Sequence, residues 1–278
     1  MLTFQLIASH GWTLCLGDIK GAFLEAGPLP DKYRPLFTEL PPGEVPGISR
    51  EALIEVTGNV YGQNDAPHNW NVVFDREALA AGFERSAFDS CLYYTQEGGK
   101  LTGVMGAHVD DTTTGGQGKV YDRAIAALRK RFPYRNWPVG SGELFGAMYT
   151  QDPSTKVIVM SQAAYSQTIR PITISQSQAQ QADELATEAE IRALRGCNGT
   201  LNRLATQSRP DLSCQVSFSQ QVFPSPTVSD LISANQIVRR ARQFGDIRPT
   251  DCVCSLGCSF RQRQERRDAS WFLDWVHD

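Results

Sequence analysis

The sequence predicts an α+β fold, with strands and helices mixed before residue 162 and helices predominating after it. Apolar residues alternate with period two in several short segments of the first part, which is typical of half-buried strands. After residue 162 they recur instead at the spacing of amphipathic helices. Hydrophobic residues make up 41% of the 278 residues, so the chain is long and apolar enough to bury a substantial core.

The first predicted strand covers residues 13–19. Leu14, Leu16 and Asp18 fall on one of its faces, because alternate residues of a strand point the same way. Proline and glycine are frequent over residues 27–47, which predicts a long irregular connection. The first strand therefore ends at a carboxylate and is followed by a loop.

A helix is predicted next, with Asp65 at its cap, Pro67 near its start and Gly82 at its end. Its apolar residues recur at helical spacing: Trp70, Val73, Phe74, Ala78 and Ala81. A β-hairpin follows, in which residues 91–94 and 101–109 flank the turn-forming segment Glu97–Lys100. The second strand runs into Asp110 and Asp111 and then into β-prone threonines, so these acids are predicted to lie at a tight turn.

The remaining elements are mainly helical. A helix is predicted around residues 124–132, and short strands are predicted at 144–150 and 156–160. Ser175–Ala186 is rich in glutamine, serine and alanine, which predicts a mobile linker. Thr187 and Glu190 form a capping pattern that opens a helix containing Gly196 and Gly199, which we expect to let a neighbouring backbone approach. A final helix is predicted after Pro226.

Composition excludes some classes of protein and leaves others open. The net charge of -3 is not the strongly basic balance typical of proteins that neutralise phosphates. No run of eighteen apolar residues occurs, and the start of the chain lacks a charged leader before an apolar block, so neither membrane spanning nor secretion is expected. The seven cysteines are odd in number, and four lie singly in apolar or helical patterns, which favours a reducing compartment.

The candidate site consists of Asp18, Asp110 and Asp111. Phosphoryl transfer from a nucleoside triphosphate uses two divalent cations about 4 Å apart, and clustered carboxylates can hold them. Hard oxygen ligands of this kind suit Mg²⁺. Paired aspartates are also ordinary turn residues, however, and an acid at the end of a strand is common. The acids alone therefore leave both interpretations open.

Several longer segments decide between these interpretations, because together they resemble copia-type LTR retrotransposon reverse transcriptases. GDIKGAFLEAG (17–27) resembles the first polymerase motif of that family, and AHVDD (107–111) is similar to its YVDD box. Five further segments resemble other blocks of the family in the same order: VYGQNDAPHNW (60–70), AFDSCLYY (87–94), GELFGAMY (142–149), VIVMSQAAYSQTI (157–169) and RGCNGTLNRLATQSRPDLSCQVSFSQQ (195–221). The resemblance covers about residues 6–243.

The resemblance implies an RNA-directed DNA polymerase that adds deoxynucleotides to a primer 3′-hydroxyl by two-metal phosphoryl transfer. Asp18, Asp110 and Asp111 would then be the catalytic metal ligands, for two Mg²⁺ ions or for Mn²⁺ in their place. The expected partners are an RNA or DNA template with its primer and deoxynucleoside triphosphates, with no membrane. The expected location, inferred from the life cycle of such elements, is the cytoplasm, the nucleus or both.

The resemblance also assigns nucleotide-binding residues and domains. Phe23 would lie under the incoming sugar and exclude a ribose 2′-hydroxyl, and Gly62 and Gln63 would border the nucleotide. Residues 1–161 would form partial fingers and an α+β polymerase palm, an antiparallel sheet backed by helices. Residues 162–243 would form a helical thumb-like region. Residues 244–278 match nothing in the family and are expected to be a poorly ordered tail, in which Cys252, Cys254, Cys258 and His277 are a weak zinc-ligand set.

Three departures from the family pattern keep other functions open. The chain begins shortly before Asp18, so the upstream fingers strands, whose basic side chains hold the triphosphate in the family, are expected to be missing. His108 replaces the usual tyrosine of the YVDD box, and Asp65 occupies the place of a glutamine, where we interpret it as the helix cap. The alternatives are an inactive fragment that keeps the fold and weak nucleic-acid binding, and a metal-dependent phosphodiesterase with His108 as its acid or base.

Overall fold

In the computed structural model of the chain, the described residues are 2–29, 31–40, 43 and 46–243. They divide into two compact units. The first unit contains the residues up to Ser141 together with Asp152–Lys156, and the second contains Gly142–Gln151 together with the residues from Val157 onward. Both units combine helices with antiparallel strands. The tail predicted at 244–278, with its weak zinc-ligand set, lies outside the described residues.

The first unit is built on a six-stranded sheet with the strand order β4-β5-β6-β7-β1-β8, in which all neighbouring strands are antiparallel. A separate two-stranded sheet pairs β2 with β3. In chain order the elements are α1 (Leu2–Ser9), β1 (Cys15–Ile19), β2 (Phe37–Glu39), β3 (Leu53–Glu55), α2 (Ala66–Ala81), β4 (Glu84–Arg85), β5 (Leu92–Glu97), β6 (Lys100–His108), β7 (Asp111–Gly116), α3 (Lys119–Arg131) and β8 (Tyr134–Asn136), with 3-10 helices at Ala22–Ala26 and Asp31–Tyr33.

Helices cover both faces of the large sheet. On one face, α2 and α3 pack an aromatic and aliphatic core that includes Trp70, Phe74 and Phe132 and reaches Ile19 at the end of β1. The Phe74 and Phe132 rings are stacked with centroids 5.7 Å apart. On the other face, α1 approaches β6 and β7 so closely that a Cβ added at Gly115 would meet Ile7 at 2.8 Å. The central strands are therefore buried on both sides.

Most predicted elements of this unit are confirmed. The predicted helix is α2, which ends at Gly82 with a left-handed φ of 107°, a conformation that favours glycine. The predicted hairpin is β5–β6, with Gly98 and Gly99 both at positive φ, as a tight two-residue turn requires. Asp65 does occupy the N-cap position, but its side chain makes no capping hydrogen bond, so that part of the prediction is wrong.

Two features of this unit are absent from the sequence prediction. Helix α1 was not foreseen, because it has only eight residues and one buried position, too few to give a clear helical period. The connection over residues 27–47 contains a 3-10 helix and β2, so it is less irregular than predicted. Strands β2 and β3 have three exposed residues each, and their sequences therefore lack the alternation that signals a half-buried strand.

The second unit consists of a small sheet and a group of helices. The sheet has the order β11-β10-β9, and the helices α4 to α8 surround a core that includes Leu194, Leu201, Leu204 and Leu231. In chain order the elements are β9 (Ser141–Leu144), β10 (Ala147–Gln151), β11 (Ile158–Ser161), α4 (Ala163–Thr168), α5 (Gln176–Ala179), α6 (Glu188–Gln207), α7 (Ser213–Gln221) and α8 (Val228–Gln243), with a 3-10 helix at Pro210–Leu212. Among the described residues, no helix is both long and apolar enough to cross a bilayer.

The structure corrects two predictions in this unit and confirms a third. The capping box of Thr187 and Glu190 is present at the start of α6. The predicted mobile linker at Ser175–Ala186 instead contains α5, and its end pairs with the start of α8 through hydrogen bonds such as Ala186 N to Pro226 O at 2.9 Å. At Gly196 and Gly199, an added Cβ would meet no atom within 4 Å apart from the backbone of their own helix, so neither marks a close approach of another backbone.

Candidate functional site

The candidate site is formed where β1 and β7 run side by side. In this antiparallel pair Asp18 is directly opposite Asp111, although the two residues lie far apart in the chain. Residues directly opposite in neighbouring strands point to the same face of a sheet and have Cβ atoms about 5 Å apart. Asp110 lies in the turn just before β7, and its carbonyl oxygen accepts a hydrogen bond from Ile19 N at 2.8 Å. The fold therefore brings the three predicted acids to one place.

The acids belong to a row of polar residues that crosses four adjacent strands. His108 of β6 is opposite Asp111, and Asp18 is also opposite Asn136 of β8. The face that carries this row is the face covered by α1, since Gly115, on the same side of β7 as Asp111, faces Ile7. The row continues the apolar face of β1, in which Leu16 is 2% exposed. The last residue of β1 on the side facing α1 is thus a carboxylate, as the sequence predicted, whereas Ile19 after it is buried on the opposite face.

The turn between β6 and β7 has an unusual backbone conformation, which a hydrogen bond from helix α2 stabilises. Val109 has a φ of 54°, a left-handed conformation that is rare for a β-branched residue. The indole Nε1 of Trp70 donates a hydrogen bond of 2.6 Å to the Val109 carbonyl oxygen. Trp70 itself is only 2% exposed and is fixed in the core by Phe74 and Phe132. The buried indole therefore ties the position of Asp110 to the packing of α2.

The charges at this site interact strongly. Burial, together with the negative charges of Asp110 and Asp18, raises the pKa of Asp111 from 3.8 to about 6, while His108 acts in the opposite direction. Burial is the largest cause of this shift, and the part that comes from Asp110 and Asp18 means that their charges disfavour ionisation of Asp111 in a partly dehydrated space. Arg135 lies at the edge of the row, with its Nη1 atom 3.5 Å from Asp18 Oδ2, and balances part of this charge.

The donor chemistry of the row fits a hard cation, because three carboxylates supply the oxygen ligands that Mg²⁺ prefers. Their mutual repulsion is the kind of electrostatic cost that a divalent cation relieves. Within the part of the chain that the structure describes, no group of three or more His, Cys, Asp or Glu side chains is arranged ready to hold a metal ion. The backbone register therefore gathers the acids, and their side chains would have to turn toward one another to share an ion.

The predicted nucleotide-binding residues lie in two segments that contact each other. Phe23 belongs to the 3-10 helix that follows β1, and its ring centroid is 4.9 Å from that of Tyr61. Gly62, the next residue, has a φ of 95°. The side-chain oxygen of Gln63 accepts a hydrogen bond from Val60 N at 2.9 Å, so this oxygen holds the local turn. Sequence reasoning assigned no role to Tyr61 or Arg135, because neither contact is visible before the chain folds.

Comparisons with known proteins relate the chain to transposon proteins. It is 25% identical over 236 residues to a putative transposon Ty5-1 protein of Saccharomyces cerevisiae, an alignment that covers 80% of this chain and 74% of the yeast protein. It is 26% identical over 132 residues to the retrovirus-related Pol polyprotein from transposon RE2 of Arabidopsis thaliana, covering 47% of this chain and 9% of the polyprotein. No family model matches the chain. The two similarities support a retrotransposon origin for this protein.

Proposed function

We propose that the chain is the RNA-directed DNA polymerase domain of a copia-type retrotransposon. The observation that carries this proposal is the register that sets Asp18 opposite Asp111, with Asp110 in the adjoining turn. Polymerases that use two metal ions need such a cluster of carboxylates to hold the cations that assist in-line displacement. The similarity to transposon proteins, one of them a Pol polyprotein, supports the same function.

The fold proposed for the catalytic unit is a polymerase palm. Its antiparallel sheet carries the acids on one side and is backed by α2 and α3 on the other. The helices α6, α7 and α8 of the second unit are proposed to form the thumb-like region. Under this proposal the substrates are an RNA or DNA template with its primer and deoxynucleoside triphosphates.

The residues of the chain contribute mainly placement and charge. Asp18, Asp110 and Asp111 would hold Mg²⁺ or Mn²⁺, which when bound activates the primer hydroxyl and stabilises the leaving pyrophosphate. The Trp70 and Ile19 hydrogen bonds hold the Asp110 turn in position, and a fixed arrangement of charge lowers the cost of reorganisation during the reaction. The Phe23 ring would border the sugar and exclude a 2′-hydroxyl.

Primer extension tests this function directly. The purified chain is incubated with a primed template, Mg²⁺ and deoxynucleotides, beside an Asp110→Asn/Asp111→Asn double variant. We expect the double variant to lose at least about a hundredfold of the activity, as typical for removal of a main electrostatic group. Glu97→Gln removes an exposed acid from the same sheet and serves as the matched control. Equal incorporation of deoxynucleotides by the wild type and the double variant would contradict the proposed polymerase function.

One observation favours a second candidate function, an inactive reverse-transcriptase-derived domain that keeps the fold and weak nucleic-acid binding. It is the lack, among the described residues, of a group of three ligands already arranged around one ion position. Binding of a fluorescent primer–template separates the two candidates. An inactive domain would bind it equally well with Mg²⁺ or with EDTA and would extend nothing, whereas the polymerase would extend the primer only when Mg²⁺ is present.

A further inference from the structure

The aromatic contact between Phe23 and Tyr61 joins two segments that are far apart in the chain. The two rings lie at 52° to each other with centroids 4.9 Å apart, which is within the range of favourable tilted aromatic pairs. Phe23 is partly buried against the core of the first unit, whereas Tyr61 is 59% exposed. Tyr61 therefore covers the Phe23 ring from the solvent side.

The turn that carries Tyr61 is closed by two hydrogen bonds between Val60 and Gln63. Val60 N donates to the Gln63 side-chain oxygen at 2.9 Å, and Gln63 N donates to the Val60 carbonyl oxygen at 3.4 Å. Gly62 completes the turn at a φ of 95°, where a side chain would be strained. The Tyr61 ring is thus presented by a short, well-defined turn.

The same segment is tied to the chain that follows the Phe23 helix. Asn59 is a buried polar residue, 2% exposed, and its amide Nδ2 donates to the Gly27 carbonyl oxygen at 3.1 Å. Its side-chain oxygen accepts a hydrogen bond of 2.7 Å from Asn69 of α2. Leu29 N donates to the Thr57 carbonyl oxygen at 3.0 Å. These bonds hold the Tyr61 turn and the end of the Phe23 helix at a fixed separation.

We propose that Tyr61 is a positioning residue for Phe23 and thereby sets how strongly the protein discriminates deoxynucleotides from ribonucleotides. The inference rests on the proposed function, because it assigns Tyr61 a part in the specificity of that same site. A ring excludes a hydroxyl group only while it cannot swing aside. The Tyr61 ring packs against the Phe23 ring, and the Asn59 hydrogen bonds hold the Tyr61 segment beside the end of the Phe23 helix.

The test compares the kcat/KM for dCTP with that for CTP during single-nucleotide primer extension. The variants are Tyr61→Leu, which removes the ring, and Tyr61→Phe, which keeps it and removes only the hydroxyl. We expect Tyr61→Leu to lower the ratio of kcat/KM for dCTP to that for CTP about tenfold, because kcat/KM for CTP rises. This size is typical of a small change in pocket shape. Tyr61→Phe should keep the wild-type ratio. A purely structural role would instead lower kcat/KM for both nucleotides equally.

The outcomes separate this inference from the proposed function. If the wild type does not incorporate dCTP, the proposed function fails and the inference fails with it. If the wild type incorporates dCTP and Phe23→Ala relaxes the ratio, but Tyr61→Leu keeps it unchanged, the inference alone is overturned. Tyr61→Gln is a second variant without an aromatic ring, to be used if Tyr61→Leu does not fold, with the same expected loss of discrimination.

Discussion

At the scale of single residues, the main feature of the site is that burial and two neighbouring acids make ionisation of Asp111 unfavourable. Its pKa in the folded chain is about 6, above the ordinary 3.8, because of burial and the charges of Asp110 and Asp18. The folded state therefore binds this proton more tightly than the unfolded state does. The stabilising contribution of the protonated group is fully present below about pH 4 and is lost as the pH rises through about 6.

Replacing Asp111 with asparagine should consequently stabilise the protein at pH 8. We expect Asp111→Asn to raise the free energy of unfolding by about 1 kcal/mol there, less than the full shift implies because the carboxyl is partly exposed and screened. The gain should shrink toward zero near pH 4, where the wild-type carboxyl is protonated. Urea denaturation at both pH values measures it, with Glu97→Gln as the control. A variant that is less stable than the wild type at pH 8 would contradict this account of the electrostatics.

Val109 shows at the same scale that an unfavourable backbone conformation can be stabilised by a residue distant in sequence. A β-branched residue with a φ of 54° is unfavourable in isolation. The hydrogen bond from the buried Trp70 indole fixes this conformation, which in turn sets the direction of the chain at Asp110. The sequence indicated a turn here from its residue types, but the conformation of Val109 depends on the packing of α2.

At the scale of elements, β1 is held by close packing on the face opposite the acids. A Cβ added at Gly17 would lie 2.5 Å from Thr112 Oγ1, 2.6 Å from the Tyr134 ring and 2.7 Å from the Trp137 ring. Only a glycine therefore leaves room for these three side chains to pack directly over β1 beside Asp18. Gly199 in α6 is the reverse case, since an added Cβ there would meet no atom within 4 Å.

This difference predicts opposite effects of the same substitution. Gly17→Ala should destabilise the chain by about 1–3 kcal/mol, because it overpacks a filled space. Gly199→Ala should be neutral or should stabilise α6 by up to about 1 kcal/mol, because alanine is the better helix former. Thermal and urea unfolding of the two variants provide the measurement. A tolerated Gly17→Ala would mean that β1 and β8 are less closely packed than the structure indicates.

The sequence predicted correctly those elements whose apolar residues and turn residues fall where the folded element is buried and where it ends. Helix α2 has a regular apolar stripe and a terminal glycine, and β5–β6 has two glycines at its turn. The linker prediction at Ser175–Ala186 is wrong, because its polar composition says nothing of the backbone hydrogen bonds it makes with the start of α8. Such bonds depend on which segment lies alongside, and composition does not carry that information.

At the scale of the whole molecule, the order of strands in the large sheet creates the site. Strand β1 lies between β7 and β8, so Asp18 meets acids that come from a much later part of the chain. A cation that binds this row would favour the folded state, because the row exists only when the sheet is formed.

Magnesium should therefore raise the stability of the wild-type protein. At a concentration about 100 times the dissociation constant, the expected gain is about 2.7 kcal/mol, seen as a higher thermal midpoint. NaCl at matched ionic strength controls for screening, and the Asp110→Asn/Asp111→Asn variant should lose most of the Mg²⁺-dependent shift. If Mg²⁺ shifts the wild type and the double variant equally, the acid row is not a metal site.

The sequence by itself determined the types of most elements and the three acids worth testing. Both could be predicted because hydrophobic periodicity and turn residues act over a few neighbouring residues, and because the order of the motifs can be read directly from the sequence. Only the tertiary structure decided that Asp18 is opposite Asp111, that Trp70 holds Val109 and that Tyr61 covers Phe23. These contacts join residues far apart in sequence, and their formation depends on the pairing and packing of whole elements.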